Sequence, residues 1–449
     1  MYFLVLVGMI IAVAADMYGR PASVSFMGMI SGTAVMTVAP AAAAAVFMIY
    51  VGARTKSLIS AVPYDSEAFT AFATRYVRIV YAMNGFIAGC YAASCFLFEW
   101  IALPERLKVN ESALATGAIQ IAPLVVSLLL VWIPLHYADA VMRPFSPSLR
   151  QRLAFNIRQY LLTLLVPVGA ALGVYDLIRL LPKPVLDYLE SPWAGALTAL
   201  AIVIAGYTAA PLVLVRLWKT RSLNKGPVRE RLTALCRRAK VGFRDIRVWE
   251  TPGHHIINAA VMGIAGFVRY IIISRALLET MPPEELEAVF AHELGHARRR
   301  HMIYYFVFAI DFWLIANLFA TAVGAPDDAS GKYAVILMAA WGLVYWGLAF
   351  GFVSRAFERD GDLFAVEVMG DARPFSQALL AIAHLNGVSP RTRSWRHGSI
   401  DSRVRFLAAA EYDAEVRRRF RAKVVFLKTL IASVAALSIA ATAALELLK

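Results

Sequence analysis

The stretch Phe290-Ala-His-Glu-Leu-Gly-His296 is the most informative part of the chain. It places His292 and His296 four residues apart, with Glu293 directly after the first histidine. Residues four apart share one face of a helix, so both imidazoles can reach one ion if this stretch is helical. Glu293 is then placed to act as general base on a water bound to that ion.

The surrounding sequence predicts a helix. Pro282 and Pro283 stand where a helix begins, and Glu284 and Glu285 fill its first turn, where negative charge is favourable. The apolar residues that follow at helical spacing are Leu286, Val289, Phe290 and Leu294. The alternative is a chance pair of core histidines beside a surface glutamate. A hydrolytic zinc site needs a third protein ligand and leaves a position for water, so the rest of the chain must supply that ligand.

Composition indicates a polytopic membrane protein. The 449 residues are 59% hydrophobic and 17% charged, whereas soluble domains carry about 25% charged residues. Long apolar runs recur from end to end. The formal net charge of +14 is typical of cytoplasmic loops and contact with anionic lipid, and no nucleic-acid-binding motif accompanies it. Three cysteines provide neither a disulfide framework nor a thiolate zinc site.

Five regions are expected along the chain. Residues 1–217 form a six-span transmembrane region, and residues 218–302 form the first part of the domain that holds the candidate zinc site, with a strand and the His-Glu helix. Residues 303–353 form a transmembrane hairpin, residues 354–423 the second part of that domain, and residues 424–449 a C-terminal transmembrane helix. The expected fold is therefore mainly α: a helical transmembrane bundle with a small α+β, zincin-like catalytic domain built from two cytoplasmic segments.

The loop charges predict the orientation of the chain. Basic residues are concentrated in alternate loops, which the positive-inside rule places in the cytoplasm together with the His-Glu helix. They are Arg54, Lys56, Arg75 and Arg78, then Arg143, Arg150 and Arg152, and then Arg216, Lys219, Arg221 and Lys225.

The first apolar run, Met1–Ala15, is short for a span. A signal peptide is the weaker interpretation of it, because no basic residue precedes it.

The missing ligand is predicted just beyond the hairpin. Glu358 and Asp362 are four residues apart, so they share a face if this segment is helical. We assign Glu358 as the third ligand and Asp362 as the carboxylate that holds one ligand histidine by its free ring nitrogen. A solvated charged helix after a membrane span is the alternative, but the hairpin returns this segment to the face that carries His292 and His296. His301, which follows three arginines, is interpreted as an interface anchor.

The order and spacing of these motifs resemble those of the membrane zinc metallopeptidases that include the CAAX prenyl proteases and the bacterial heat-shock membrane proteases. The matching stretches are Asn258-Ala259 with Gly263, His292-Glu-Leu-Gly-His296, Glu358-Arg-Asp-Gly-Asp362 and His397 followed by Arg403. They cover roughly residues 220–410. Gly361 stands where the family usually has Ala, and Gly398 stands where a Pro often follows the His.

The resemblance implies further roles. The strand containing Asn258, Ala259 and Gly263 would pair with an extended peptide substrate. His397 and Arg403 would lie near the oxyanion as catalytic residues. One Zn²⁺ per chain is implied, with peptides or proteins in or at the lipid bilayer as partners and no nucleic acid. The oligomeric state is not predicted.

The expected function is a membrane-integral zinc endopeptidase of the bacterial inner membrane, with its catalytic domain in the cytoplasm. CAAX-type processing of lipidated C-terminal peptides is an alternative within the same class. A transporter or a non-catalytic binding protein is the alternative from another class. Asp176 and Arg179 could form a relay in a transporter, although a local salt bridge is also compatible with their spacing.

Overall fold

The computed structural model describes residues 2–17, 24–61, 67–142, 146–189, 191–251, 256–323, 340–385 and 388–447. The chain divides into two compact units, one within residues 1–207 and one within residues 208–449. The described residues of the first unit contain only helices, whereas the second combines helices with a sheet.

The first unit is built around one long central helix. Its helices are α1 (Tyr2–Met17), α2 (Phe26–Ala61), α3 (Glu67–Phe96), α4 (Leu103–Arg106), α5 (Ala113–Met142), α6 (Leu149–Asn156), α7 (Thr163–Ile178), α8 (Lys183–Leu189) and α9 (Pro192–Leu217), which continues into the second unit. Leu124, Leu128 and Trp132 of α5 are at most 2% exposed and form the centre of its core. This burial explains why α5 packs against α1, α2 and α3.

Six helical stretches among the described residues are long and apolar enough to cross a membrane. They are Phe26–Leu58, Arg75–Phe96, Ala113–Met142, Leu149–Ile178, Leu197–Leu217 and Ala414–Ala444. The prediction of a mainly helical, polytopic membrane protein is therefore confirmed. The apolar stretches Leu4–Ala15 and His301–Ala316, in the first and seventh predicted spans, are shorter.

Asp176 and Arg179, at the end of α7, form hydrogen bonds with residues at the start of α5. The Asp176 carboxylate accepts hydrogen bonds from the Ser112 hydroxyl (2.7 Å) and from the backbone N–H groups of Ala113 (2.6 Å) and Leu114 (3.1 Å), at the start of α5. Arg179 donates to the backbone carbonyl of Glu111 at 2.5 Å. This is helix capping, in which a carboxylate satisfies free N–H groups at a helix start. It gives the transporter interpretation no support.

The second unit carries every predicted site residue. Its elements are β1 (Thr220–Ser222), α10 (Pro227–Arg238), β2 (Asp245–Trp249), β3 (Ala259–Met262), β4 (Tyr270–Ser274), α11 (Arg275–Thr280), α12 (Pro283–Arg298), α13 (His301–Val323), α14 (Phe350–Met369), α15 (Arg373–Leu385), α16 (Ile400–Tyr412) and α17 (Ala414–Leu447). The turn of the predicted hairpin, residues 324–339, lies outside the described residues.

The sheet has four strands in the order β1-β2-β4-β3. β2 and β4 run parallel, whereas the outer strands β1 and β3 are antiparallel to their neighbours. Ile246, Ile271 and Ile273 of the two inner strands are at most 1% exposed and pack in one core with α12. β3 thus lies at an edge of the sheet.

The helices α12 and α14 are packed in the centre of this unit. Phe290 of α12 and Phe357 of α14 are 1% and 0% exposed. Burying side chains of this size stabilises a fold by about 1.5–3 kcal/mol each. The same core includes Phe375 of α15 and Leu407 of α16, so four helices hold the surroundings of the candidate ligands.

Candidate metal centre

Two glycines bring α12 and α14 close together. A Cβ atom built on Gly295 would lie 3.1 Å from the Cα of Gly361, and one on Gly361 would lie 3.0 Å from the His292 ring. Both distances are tighter than ordinary van der Waals contact, so the two helices pack here with little room for a side chain. The sequence therefore allows the histidine face of α12 to approach the carboxylate face of α14.

The three predicted ligands converge between these helices. The Nε2 atoms of His292 and His296 are 3.2 Å apart, and the carboxylate oxygens of Glu358 lie 3.7 Å and 3.8 Å from them. One ligand atom from each residue lies within 4.8 Å of the other two. Ligand atoms about 2.1 Å from a tetrahedral zinc are separated by roughly 3.4 Å. Two imidazoles and one carboxylate with this spacing fit a catalytic zinc ion.

Asp362 and Arg403 support the cluster from behind. Oδ1 of Asp362 lies 3.0 Å from Nδ1 of His292, so Nε2 of that histidine faces the cluster. Arg403 of α16 donates through Nε to Asp362 at 2.9 Å, and its Nη1 lies 3.4 Å from Glu358. Burial opposes the charged form of Asp362, but Arg403 outweighs it and holds the pKa of that carboxyl below its usual value. Asp362 thus lies beside the ring nitrogen of His292 that does not face the cluster.

His397 lies beside the third ligand. Its Nδ1 atom is 3.0 Å from Oε1 of Glu358, and half of its side chain is exposed. Burial opposes ionisation of Glu358, but His397 and Arg403 together lower the pKa of Glu358 well below its usual value. Gly398, which departs from the family pattern, adopts φ +73°, a conformation that proline cannot reach. The turn after His397 therefore differs from one built on His-Pro.

Glu293 is partly buried beside the edge strand. Its carboxylate accepts a hydrogen bond from the backbone N–H of Val261 in β3 at 3.2 Å. Burial raises the pKa of Glu293 to about 7, and the negative charge of Glu358 acts in the same direction. A carboxylate with a pKa near the working pH is well suited to accept and return a proton.

The predicted substrate strand lies at the edge of the sheet. Ala259 is the first residue of β3, and Asn258 precedes it, its carbonyl accepting from the backbone N–H of Ser274 at 2.9 Å. Gly263 ends the strand with φ +97°, where a Cβ would lie 2.4 Å from the backbone oxygen of Val268. The N–H of Val261 points to Glu293, so the free side of this strand faces the candidate general base.

Sequence reasoning missed a second set of buried polar residues. His301 is fully buried, so its interpretation as an interface anchor is wrong. Its Nδ1 lies 2.9 Å from Nδ1 of His296, and its Nε2 lies 2.9 Å from Asp360. Lys428 of α17 lies 3.4 Å from the same carboxylate. A helical wheel of residues 350–369 would place Asp360 away from Glu358, and nothing local in the sequence connects it to Lys428.

Comparison with known proteins finds a peptidase family over the part of the chain that holds the candidate site. Residues 222–429 match the model of peptidase family M48. A protease HtpX homolog of Aeropyrum pernix is 26% identical over 201 residues, which are 42% of this chain and 61% of that protein. Protease HtpX homolog 2 of Methanosarcina acetivorans is 25% identical over 162 residues, 34% of this chain and 54% of that protein. The chain thus spans less than two thirds of the length of either relative.

A solved structure shares the fold of nearly the whole chain. The crystal structure of S. mikatae Ste24p matches 84% of this chain and 99% of its own, with a TM-score of 0.53 and 17% sequence identity. This likeness shows that the two proteins share a fold. The match of residues 222–429 to peptidase family M48 confirms the resemblance that the motifs predicted.

Proposed function

We propose that this protein is a membrane-integral, zinc-dependent endopeptidase that cleaves membrane-associated proteins or peptides. The observation that supports it most is the convergence of His292, His296 and Glu358 from two helices, with Glu293 beside them. The family match and the membrane helices agree with this activity. Prenylated C-terminal peptides remain a narrower substrate class that the same site could process.

The proposed chemistry divides between the metal and the chain. Zinc, when bound, would act as a Lewis acid and lower the pKa of a water molecule toward 7. Glu293 accepts the proton of the attacking water and returns it to the leaving amine. Arg403 and His397 are proposed to stabilise charge beside the third ligand, since both contact Glu358.

The edge strand supplies the proposed substrate-binding surface. A peptide that adds to β3 in an extended conformation would use its free N–H and C=O groups. Because the Val261 N–H already points to Glu293, a carbonyl held there would lie beside the general base. Asn258, Ala259 and Gly263 would fix the two ends of this surface.

We also propose the arrangement of the regions along the chain. Residues 218–302 and 354–423 form one catalytic domain, and residues 303–353 form the hairpin between them. The alternation of basic loops supports a cytoplasmic position for this domain in a bacterial inner membrane. One zinc ion per chain is expected.

The proposal is tested with purified protein in detergent. We expect about one zinc per chain, cleavage of casein, and loss of cleavage on treatment with a chelator. Glu293→Gln should retain zinc and reduce cleavage by about 10²–10⁴-fold, the usual contribution of general base catalysis. Glu284→Gln, at an exposed position of the same helix, is the matched control and should remain active. Absence of zinc, or full proteolysis by the Glu293 variant, would overturn the assignment.

A further inference from the structure

A chain of buried polar contacts leads from a candidate ligand to the last helix. Nδ1 of His296 lies 2.9 Å from Nδ1 of His301, whose Nε2 lies 2.9 Å from Oδ2 of Asp360. The Lys428 amine lies 3.4 Å from that oxygen. His301 and Asp360 are 0% and 4% exposed, so water does not replace these contacts.

The contacts determine the ring protonation of both histidines. His296 can bind a cation through Nε2 only if its proton is on Nδ1. That proton is then donated to Nδ1 of His301, which leaves the His301 proton on Nε2. The latter N–H faces Asp360, an acceptor whose charge is balanced by Lys428 and by Arg299. Each ring N–H thus donates to the next group in the series, from His296 to His301 and from His301 to Asp360.

Lys428 also connects the two helices that carry the ligands. Besides Asp360 of α14, its amine donates to the backbone carbonyl of Arg299, directly after the end of α12, at 3.0 Å. The amine lies 5.5 Å from the centre of the Phe357 ring, and the His301 ring stacks on the same ring at 4.4 Å. A salt bridge that only held α17 in place would have no need to be joined to a ligand histidine.

We propose that His301, Asp360 and Lys428 are positioning residues that orient His296 for metal binding, so that α17 contributes to metal affinity. This inference rests on the proposed zinc site. Carboxylate partners of ligand histidines generally contribute 10–100-fold to metal affinity. Lys428 would act through Asp360, by holding that buried carboxylate against His301.

The test measures zinc affinity by chelator competition in the full-length protein. Asp360→Asn and Lys428→Met should each weaken zinc binding by about tenfold or more. Lys428→Arg should restore most of the loss. The absorption spectrum of the Co²⁺-substituted protein should change in Asp360→Asn but not in Lys423→Met, the control at an exposed lysine of the same helix. Thermal unfolding identifies variants that are merely misfolded.

The outcomes separate this inference from the proposed function. Wild-type protein that binds no zinc would refute the metal site itself. Zinc bound normally by the wild type and with unchanged affinity by folded Asp360→Asn and Lys428→Met would refute the positioning role alone.

A separate basic pocket lies where α12 ends and α13 begins. The pocket has a volume of about 160 Å³, and its walls include Lys240, Arg298 and Arg300. These three side chains are exposed and have no hydrogen bond or ion pair with the described residues. Arg269, also in the wall, is instead saturated by backbone carbonyls, among them that of Gly242 at 2.8 Å.

The lining of this pocket also includes apolar residues from the start of an apolar helix. Met302 and Ile303 lie in the first turn of α13, whose apolar stretch begins at His301. Phe267, on the loop that touches Gly242, is 70% exposed. The unpaired cations at the start of this apolar helix are suited to the phosphate of an anionic lipid. The exposed ring of Phe267 and the apolar residues are suited to the upper part of its acyl chains.

We infer that this pocket binds the phosphate of an anionic phospholipid. The test uses protein in nanodiscs of phosphatidylglycerol or phosphatidylcholine, with retained lipid counted by native mass spectrometry. Wild-type protein should retain phosphatidylglycerol, and the combined Lys240→Gln, Arg298→Gln and Arg300→Gln variant should not. Lys225→Gln, Arg405→Gln and Arg418→Gln together remove the same charge at other exposed positions and should leave retention unchanged. Equal loss in both variants, or competition by inorganic phosphate alone, would refute a lipid site.

Discussion

Arg403 shows how one side chain can serve two parts of a site. Its guanidinium donates to Asp362 and also approaches Glu358, and it is only 7% exposed. The resemblance predicted a position near the oxyanion. The structure adds that this arginine neutralises two buried carboxylates, which would otherwise repel each other across the metal cluster.

Replacing Arg403 by Gln should therefore destabilise the fold as well as the site. Removing one partner of a buried ion pair costs about 3–5 kcal/mol, because the remaining charge is left uncompensated. We expect a lower unfolding temperature and weaker zinc binding. Arg403→Lys should recover only part of the loss, since an ammonium group cannot reproduce the two-pronged contact.

The control for Arg403 is Arg405→Gln on the same helix. Arg405 pairs with Asp401, and its side chain is 74% exposed. Exposed pairs contribute about 0–1 kcal/mol, so little change is expected. Differential scanning fluorimetry and chelator competition measure both properties. Equal effects of the two variants would contradict the role of Arg403.

Gly263 is a second residue whose identity is required by its surroundings. Its φ is +97°, and an added Cβ would lie 2.4 Å from the Val268 carbonyl oxygen. Gly370 has a similar φ of +83° but open space around it. Left-handed backbone costs a non-glycine residue about 1–2 kcal/mol at either position. Gly263→Ala should thus lower the unfolding temperature more than Gly370→Ala, and equal shifts would show that the contact with Val268 relaxes freely.

Individual residues differ in how far the sequence reveals them. His292 with His296, and Glu358 with Asp362, were predicted because residues four apart share one face of a helix. His301 was misread because a histidine after three arginines fits an interface equally well. Its contacts with His296 and Asp360 depend on how α13 leaves α12, which no local pattern encodes.

At the scale of elements, the site depends on the close crossing of α12 and α14. A Cβ on Gly295 would meet Gly361 Cα at 3.1 Å and Phe364 Cβ at 3.1 Å. Gly295→Ala and Gly295→Val should separate the helices progressively, although both replacements favour helix formation. We expect zinc affinity to fall in the order Gly, Ala, Val, as measured by chelator competition. Unchanged affinity in the Val variant would mean that the crossing does not position the ligands.

The elements themselves were predicted unevenly. The helix around His292 was predicted well, because capping residues and apolar periodicity are local signals. α17 begins at Ala414, ten residues before the predicted start at residue 424. The prediction missed these residues because the first turns of the helix are charged and lack an apolar pattern. The strand order β1-β2-β4-β3 could not be derived, because strand pairing depends on contacts between distant residues.

At the scale of the whole molecule, membrane orientation decides which substrates can reach the site. The loop charges predict that Lys225 and the catalytic segments face the cytoplasm, whereas Asp187 faces the other side. Cysteines introduced at these two exposed positions would report their sides. The natural cysteines Cys90, Cys95 and Cys236 are all buried, so background labelling should be low.

We expect a membrane-impermeant maleimide to label Lys225→Cys in inverted membrane vesicles and Asp187→Cys in right-side-out vesicles. Labelling after detergent solubilisation gives the total for each variant. The opposite pattern would place the protease domain outside the cytoplasm. Labelling of both cysteines from one side would mean that α9, which lies between them, does not cross the membrane. Labelling of Lys225→Cys from outside the cytoplasm would leave the zinc site intact but contradict the proposed cytoplasmic access of substrates to β3.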